Sequence, residues 1–488
     1  MPVYYERALN HGNRIGFIYQ KLREPRSYDY EKTENKKYND RLRMPEFPFD
    51  NEEREAVITF VLGLVAEPPT EKYVYKPSER DRTIIAGKQV LETFNCGGCH
   101  ILEGERWKLS APPEIFGEAS PPKTFPFALH SLDPSIVGRS ATTDRRGMVE
   151  AELRGLPSQE AAGENGALPV IRDPDDADYA DGERTQPRQA KYEFALFQNA
   201  SAVGGEVYQP GTKLMVPGAN LARKYPTQGG YLTKYLSPVV YDLERKTNPN
   251  AKGDQVLGWL PPPLMGEGKK VQTAWLYDFL MEPYTIRPAT FLRMPKFNLS
   301  PDDTSKLVAY FAAKDNASYP YEFDRRRQSD HLESAQADYA KEAEKAGESQ
   351  DKRDRLEASL KTVTNRTYCV QCHSVADFVS DNTPRAQGPD LSQVYKRLRP
   401  DYVRRWIAYP TLVLPYTAMP ENIKYDPEQK QESDAWFHGT RTEQVDGLVD
   451  LLMNFDEYAK RQTRIADLVP PPAKAEQPAE APAETGAR

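Results

Sequence analysis

Two copies of one pentapeptide constrain this chain more than any other feature. Cys96-Gly-Gly-Cys-His100 and Cys369-Val-Gln-Cys-His373 share the pattern Cys-x-x-Cys-His, and together they contain all four cysteines of the 488 residues. This pattern attaches c-type haem: the two thiols (Cys96 with Cys99, Cys369 with Cys372) bond to its vinyl groups, and the adjacent imidazole binds the iron. Residues three apart share one face of a helical turn, so both thiols reach one porphyrin edge. The sequence therefore predicts two covalently bound haem c groups, with His100 and His373 as iron ligands.

A single Cys-x-x-Cys pair also occurs in redox disulfides and as half of a zinc site. A thioredoxin-like dithiol does not need a histidine after its second cysteine. A zinc ribbon would place its two pairs much closer together than positions 96 and 369. Haem attachment is the interpretation that accounts for every cysteine and for both histidines.

A second pattern occurs three times, each time as a Met-Pro step between two helical patterns. Residues 43–47 and 293–297 both match Arg-Met-Pro-x-Phe, and Met419-Pro420 is a weaker third copy. A short helical pattern ending in proline precedes each copy, and a helix cap with an acidic residue three positions later follows it (Asp50/Glu53, Ser300/Asp303, Thr440/Glu443). The chain thus contains three helix/Met-Pro/helix half-modules but only two pentapeptides.

These patterns predict a mainly α chain of several units. Proline steps and an acidic run at 173–178 exclude long helices from most of a 101–256 insertion, where 192–198 suits a strand and 206–208 with 213–216 a hairpin. The predicted units are a C-terminal half-module without its pentapeptide (1–66), a linker (67–84), a haem domain with a β/loop insertion at about 101–256 (85–320), a charged helical linker (321–360), a second haem domain (361–462) and a disordered Pro/Ala/Glu tail (463–488).

Around the second pentapeptide the sequence resembles the class I cytochromes c. Gly388-Pro-Asp-Leu391 and then Met419-Pro420 follow His373 at the spacing of a compact haem domain. In that family the Gly-Pro-x-Leu turn packs beside the proximal histidine, and the methionine of a Met-Pro loop is the second axial ligand. The resemblance implies tandem cytochrome c-like helical haem domains, with Met419 as a ligand of the haem at Cys369 and Cys372. A thioether ligand raises the reduction potential relative to two imidazoles.

The same resemblance assigns Met294 to the haem at Cys96 and Cys99, across the insertion. Met44 has the same context as Met294 but follows no pentapeptide. We expect Met44 to ligate a third haem attached upstream of residue 1 or on another polypeptide; the alternative is a decayed repeat that kept a packing methionine. Four other methionines compete for the role of Met294: Met148, Met215, Met265 and Met281. Met281 falls in a predicted helix, where packing is the ordinary role, and Met215 precedes Val-Pro rather than Pro.

Charge and hydropathy limit the partners and the compartment. The net charge of −7 offers no argument for nucleic-acid binding. No apolar run reaches the roughly 18–20 residues that span a bilayer, and residues 1–7 lack the apolar core of a signal peptide. Bacteria attach c-type haem outside the cytoplasmic membrane. We therefore expect a periplasmic protein, or one on the outer face of that membrane, and a sequence that begins downstream of its true start.

The sequence as a whole predicts an electron-transfer protein, a multihaem c-type cytochrome that relays single electrons between respiratory-chain donors and acceptors. Two six-coordinate irons leave no position for a substrate, which favours transfer over catalysis. Two alternatives stay open: a di-haem peroxidase-like enzyme with one open iron, and a cytochrome subunit docked on a membrane oxidoreductase complex. Five side chains near the Met-Pro segments are candidates for contacts to haem propionates, the alternative being ordinary helix packing and solvated charge: Trp275, Arg287, Tyr402, Arg405 and Trp406.

Overall fold

The computed structural model divides the chain into two compact units, Met1–Ser78 and Glu79–Arg488. Both are built mainly from helices, which confirms the predicted fold class at that level. Among the described residues, no helix is long and apolar enough to cross a bilayer. The structure describes residues 2–25, 27, 44–64, 72, 74–112, 114, 125–130, 142–143, 146–155, 191–195, 202–203, 206–207, 213–249, 254–319, 324–414, 416–426, 428–459 and 464–471.

In its described residues, the unit Met1–Ser78 has three helices around a small core. They are α1 (Val3–Asn10), α2 (Arg14–Arg23) and α3 (Asn51–Gly63). The rings of Tyr5 and Tyr19 stack with their centroids 4.1 Å apart. Two further buried side chains, Leu22 and Ile58, complete the core. Met44 is half-buried and packs against it.

The unit Glu79–Arg488 contains the remaining helices and all of the described strands. Its helices are α4 (Glu79–Thr93), α5 (Pro126–His130), α6 (Tyr231–Thr247), α7 (Glu267–Lys270), α8 (Thr273–Met281), α9 (Pro301–Lys314), α10 (Ser329–Lys345), α11 (Arg355–Thr364), α12 (Val394–Arg397), α13 (Pro400–Ala408), α14 (Pro410–Val413), α15 (Arg441–Met453), α16 (Phe455–Ala459) and α17 (Ile465–Leu468).

One arrangement of helices occurs three times, around the three Met-Pro segments. A middle helix (α2, α8 or α13) packs against a closing helix (α3, α9 or α15). Each middle helix stops in a non-helical conformation directly before a proline, because proline disfavours helical geometry in the preceding residue. Each closing helix begins at a side chain that accepts a hydrogen bond from the backbone N–H three residues later: Asp50, Ser300 and Thr440.

A leading helix runs into each pentapeptide and packs across the matching closing helix. Leading helix α4 crosses α9 where Gly87 meets Tyr310; a Cβ at Gly87 would lie only 2.1 Å from the Tyr310 Cβ. Leading helix α11 crosses α15 where a Cβ at Gly447 would lie 2.7 Å from the Ser359 Oγ. A residue without a side chain at each crossing lets the two backbones approach closely. The pentapeptides are thereby held on a helix pair rather than on a free loop.

The insertion differs in part from its prediction. Its described residues form ten short strands, all paired antiparallel, but also the 17-residue helix α6, which the proline-rich composition did not predict. The strands are β1 (Ile101–Glu103), β2 (Glu105–Ala111), β3 (Thr142–Thr143), β4 (Val149–Gly155), β5 (Lys191–Ala195), β6 (Ala202–Val203), β7 (Glu206–Val207), β8 (Lys213–Pro217), β9 (Leu221–Tyr225) and β10 (Gln228–Gly229).

The strand pairing also corrects the predicted hairpin. We expected residues 206–208 to pair with 213–216, yet β7 pairs with β6 and β8 pairs with β5. The two glycines between β6 and β7 suit a two-residue hairpin turn, which local chain geometry favours over a longer connection. The largest sheet has the order β3-β4-β2-β9. Trp107 on β2 is fully buried and donates its indole N–H to Glu105 at 2.6 Å.

Three predicted boundaries differ from the structure, because segments assigned to the two linkers and to the tail form helices. α4 already begins at Glu79, inside the predicted linker 67–84, with acidic residues in its first turn. α11 begins at Arg355, inside the predicted charged linker 321–360, and most of its residues are buried. The predicted disorder of 463–488 is wrong for 464–471, since Ile465 is buried in the core; residues 472–488 lie outside the described part of the chain.

The two pentapeptide-bearing regions share one core and a backbone connection. Val271 forms an antiparallel bridge with Leu398, and the Gln272 N–H donates to the Arg397 carbonyl at 2.9 Å. The Arg399 N–H returns a bond to the Lys270 carbonyl at 3.0 Å. The segment before α8 is therefore paired directly with the segment before α13, and both regions belong to one compact unit.

Candidate haem-attachment sites

Both pentapeptides fold into the same turn. Residues Cys96–Gly98 and Cys369–Gln371 each form one turn of 3-10 helix. The carbonyl of the first cysteine accepts the N–H of the second cysteine and that of the histidine; the histidine bonds are 3.0 Å at His100 and 2.9 Å at His373. This turn places both thiols and the imidazole of each site on one short stretch of backbone.

Each histidine is oriented by the carbonyl of a proline that follows it in the chain. Nδ1 of His100 lies 2.7 Å from the Pro262 carbonyl oxygen, and Nδ1 of His373 lies 2.6 Å from that of Pro389. A carbonyl only accepts, so Nδ1 carries the proton and Nε2 keeps its lone pair. Burial lowers the pKa of both imidazoles, partly offset by these bonds, which favours the neutral form. Such a bond is the usual way to orient a metal-binding histidine.

A matching turn supports each ring, and sequence reasoning found only one of them. At the second site, the Leu391 N–H donates to the Ser374 carbonyl at 3.0 Å; at the first, the Leu264 N–H donates to the Ile101 carbonyl at 2.9 Å. Residues 261–264 thus occupy the same place relative to His100 as residues 388–391 occupy relative to His373. The shared pattern in the sequence is only Pro-x-Leu after the histidine, which was too short to detect across the insertion.

Gly388 forms a cradle for the His373 ring. A Cβ at this position would lie 2.3 Å from Cε1 and 2.6 Å from Nδ1 of the imidazole. The Gly388 N–H donates to the Cys372 carbonyl at 2.8 Å, which holds the turn against the pentapeptide. A glycine is required here because any side chain would overlap the ring.

The insertion takes part in the first site. Gly229 and Gly230 both have positive φ, and the Gly230 N–H donates to the Gly97 carbonyl at 2.8 Å. The Thr233 hydroxyl, on α6, donates to the Cys99 carbonyl at 3.0 Å. The end of the insertion therefore holds the first pentapeptide through these two hydrogen bonds, a role that its composition did not predict.

The four thiols are free. Burial raises the pKa of the Cys96 thiol to about 11 and that of Cys369 to about 12. A redox-active dithiol instead has a thiol with a lowered pKa. The described residues also contain no group of three or more His, Cys, Asp or Glu side chains that would hold a metal ion. These findings give no support to the dithiol and zinc interpretations.

The structure places the predicted methionine ligands as follows. Met294 is half-buried and packs against the main core of this unit. Cys96 and Cys369 pack against the same core. Met419 is half-buried, and its N–H donates to the Thr417 hydroxyl at 3.2 Å. Met44 lies in the other unit, which contains no cysteine. Met281 accepts a hydrogen bond from the Thr304 hydroxyl at 3.1 Å, in agreement with a packing role.

Two half-buried arginines that form no ion pair with a described residue lie near these sites. The Arg397 guanidinium makes no hydrogen bond or ion pair with any described residue, and its Nε is fully buried. Arg287 reaches only two backbone carbonyls, of Gly258 and Leu260, at 3.3 and 3.4 Å. A haem carries two carboxylates, and such groups are the natural partners of a buried guanidinium. Free thiols, oriented histidines, the glycine cradle and unpaired arginines all fit a c-type haem.

Comparisons of the chain with protein-family models, with curated proteins and with solved structures gave no match.

Proposed function

We propose that this protein is a multihaem c-type cytochrome that transfers single electrons between redox partners of a respiratory chain, on the outer side of a bacterial cytoplasmic membrane. The observation that carries the proposal is the common construction of two Cys-x-x-Cys-His sites. In both, Nδ1 of the histidine is bonded to a proline carbonyl, and the thiols beside it are free.

The haem, when bound, supplies a one-electron couple at its iron. The two cysteines of each site would hold the haem through thioether bonds, and the neutral Nε2 of His100 or His373 would be available to ligate its iron. The Pro262 and Pro389 carbonyls fix the ring orientation of these histidines. A fixed, desolvated ligand favours fast electron transfer because little has to rearrange when the charge changes.

Met294 and Met419 are the proposed second ligands. Each lies between a middle and a closing helix of the same type, so the two segments are built alike. A neutral thioether opposite an imidazole would raise the potential and close the sixth coordination position. Closed irons favour electron transfer over peroxide chemistry.

The repeat extends the proposal to a third haem at Met44. Tyr310 lies ten residues after the cap of closing helix α9 and is 2% exposed. Phe60 lies at the equivalent position of α3 and is 67% exposed. Tyr310 is covered by the leading helix α4. The exposed face of α3 is thus where a leading helix with its own Cys-x-x-Cys-His would pack, and Met44 would then ligate that haem.

The mass of the purified protein tests the proposal. The chain is produced with an export signal in a bacterium that attaches c-type haem. We expect two covalent haems, a ferric thioether-to-iron charge-transfer band, no high-spin signal and no peroxide turnover. The variants C96S/C99S and C369S/C372S should each lose one haem, while the matched variant Ser110→Ala, which leaves all thiols in place, should keep both.

A chain isolated without covalent haem, or with its cysteines in disulfides, would contradict the proposed function. A high-spin haem with peroxide turnover would favour the peroxidase-like enzyme instead. The third haem is tested by fusing a copy of residues 79–100 to the N-terminus through a flexible linker. We expect a third covalent haem whose charge-transfer band disappears in Met44→Ala.

A further inference from the structure

The backbone bridge between the two pentapeptide regions lies beside the unpaired arginines. Arg397 is part of that bridge, since its carbonyl accepts the Gln272 N–H at 2.9 Å. The Gln272 side chain adds two bonds of 2.7 Å, to the carbonyls of Tyr395 and Leu398. Tyr416, from the Met419 segment, packs against Ile101, the residue that follows His100. Side chains of the second site therefore reach the first.

The charges at this junction do not balance. The Arg287 and Arg397 guanidinium groups have no carboxylate partner among the described residues. Glu267, a buried carboxylate nearby, is already paired with Lys270 at 2.8 Å. Burial lowers the pKa of both arginines, and the charge of Arg287 lowers that of Arg397 further. Glu267 attracts both arginines, but the Arg397 Nε is itself buried without a hydrogen-bond partner, and an anionic ligand would satisfy it.

Two tyrosines offer further donors at the same place. The hydroxyls of Tyr402 and Tyr416 make no hydrogen bond with the described residues, and burial raises the pKa of both, which keeps them neutral donors. Tyr402 and Tyr416 both act electrostatically on Arg287, and Tyr402 acts on Arg397 as well. Neutral hydroxyls and guanidinium groups together are donors suited to carboxylates rather than to metal cations.

We propose that Arg287 and Arg397, with the hydroxyls of Tyr402 and Tyr416, form one carboxylate-binding cluster that takes propionates from both haems and couples their reduction potentials. This inference rests on the proposed function, because it requires a haem at each pentapeptide. Reduction of either iron adds one electron near the shared cations. The second iron then experiences a more negative surrounding and is harder to reduce.

Spectroelectrochemical titration of the haem-loaded protein tests the coupling. Arg397→Gln removes one positive charge, which disfavours the reduced state. We expect both midpoint potentials to fall by about 59 mV, which for one electron corresponds to a tenfold change in the equilibrium constant of reduction. Arg287→Gln should move both in the same way. Arg397→Lys retains the charge, so the equilibrium constant for reduction of each haem should change by less than threefold. The exposed Arg325→Gln should change each constant by less than twofold.

Covalent attachment keeps the haems in the chain, so the potentials remain measurable in every variant. The coupling is wrong if Arg397→Gln and Arg287→Gln each move only one transition, or move both no more than Arg325→Gln does. A wild-type protein with two attached haems and that result overturns the shared cluster but leaves the proposed function intact. A wild-type protein without attached haem overturns both.

Discussion

Nδ1 of His373 lies 2.6 Å from the carbonyl oxygen of Pro389. The same relationship joins His100 to Pro262 at 2.7 Å, although one partner is close in sequence and the other lies beyond the insertion. A carbonyl at this position makes Nδ1 the protonated nitrogen and leaves Nε2 as the available ligand. The chain thus builds the same histidine geometry twice from segments that share little more than a Pro-x-Leu step.

Gly388→Ala should disturb the proposed haem at Cys369 and Cys372. Its Cβ would lie 2.3 Å from Cε1 of His373, so the ring must move or tilt. We expect the variant to lose about half of the ferric thioether charge-transfer absorbance, because one of two haems loses its normal coordination. Absorption spectroscopy measures this change, and mass spectrometry should still find both haems. Gly63→Ala, where a Cβ would meet nothing within 4 Å, is the control. Equal spectra for the two variants would argue against the cradle.

Met294→Ala and Met419→Ala should each remove the charge-transfer band of one haem and lower the potential of that haem, since the thioether favours ferrous iron. The double variant should lack the band entirely. Met281→Leu should retain it, because the Met281 sulfur is already engaged by Thr304 within the helix packing. Redox titration followed at the band measures both effects. A full band in the double variant would mean that other residues are the ligands.

Asp315 should make the protein less stable as the pH rises from about 4 to about 6. Burial raises its pKa from 3.8 to about 6, although the Gly268 N–H, at 2.7 Å, opposes the shift. Between these values the folded state binds a proton that the unfolded state releases, so the free energy of unfolding falls with pH and stays lower above about 6. The loss is roughly 1–3 kcal/mol, since each pKa unit corresponds to about 1.4 kcal/mol.

Asp315→Asn should abolish this contribution, because the amide oxygen still accepts the Gly268 N–H without becoming charged. We expect the variant to be more stable than the wild type at pH 7.5 and similar at pH 4. Urea denaturation at both pH values measures the difference. A variant that is equally destabilised at both would show that the carboxyl group acts only through its hydrogen bond.

Asp450→Asn should strongly destabilise the region around α15. Asp450 is fully buried and accepts bonds of 2.7 Å from both Arg326 and Arg355, with His331 at 3.2 Å. Removing its charge leaves buried Arg355 without a counter-charge, which typically costs about 3–5 kcal/mol. Asp338→Asn breaks a pair with Lys341 at the surface and should change stability by less than about 0.5 kcal/mol. Similar midpoints of urea denaturation for the two variants would contradict the buried network.

The prediction of helices was accurate where local chemistry decides the structure. The cap at Thr440 with Glu443 forms a reciprocal capping box, as does Asp50 with Glu53. These contacts span three residues, so the sequence contains all the information they need. The predicted hairpin of 206–208 with 213–216 failed because β7 pairs with the nearer β6 and β8 pairs with β5, a choice of partner that the pattern within one strand does not specify.

Burial was harder to predict than helicity. The segment around Arg355 and Arg326 is dense in charge and was assigned to a solvated linker, yet Asp450 neutralises both arginines inside the unit. Charged composition usually indicates an exposed face. The exception arises because a carboxylate about a hundred residues away in the chain supplies the partner, and sequence spacing does not reveal such a partner.

The sequence by itself determined the two attachment motifs, the threefold Met-Pro repeat and the helix starts, because each depends on residues within one or two turns of each other. Only the tertiary structure decided which carbonyl orients His100, that the insertion holds the first pentapeptide, and that the Arg397 Nε is buried without a hydrogen-bond partner among the described residues. These depend on contacts between segments far apart in the chain. They form only when folding removes the groups from water and brings them together, so no local pattern specifies them.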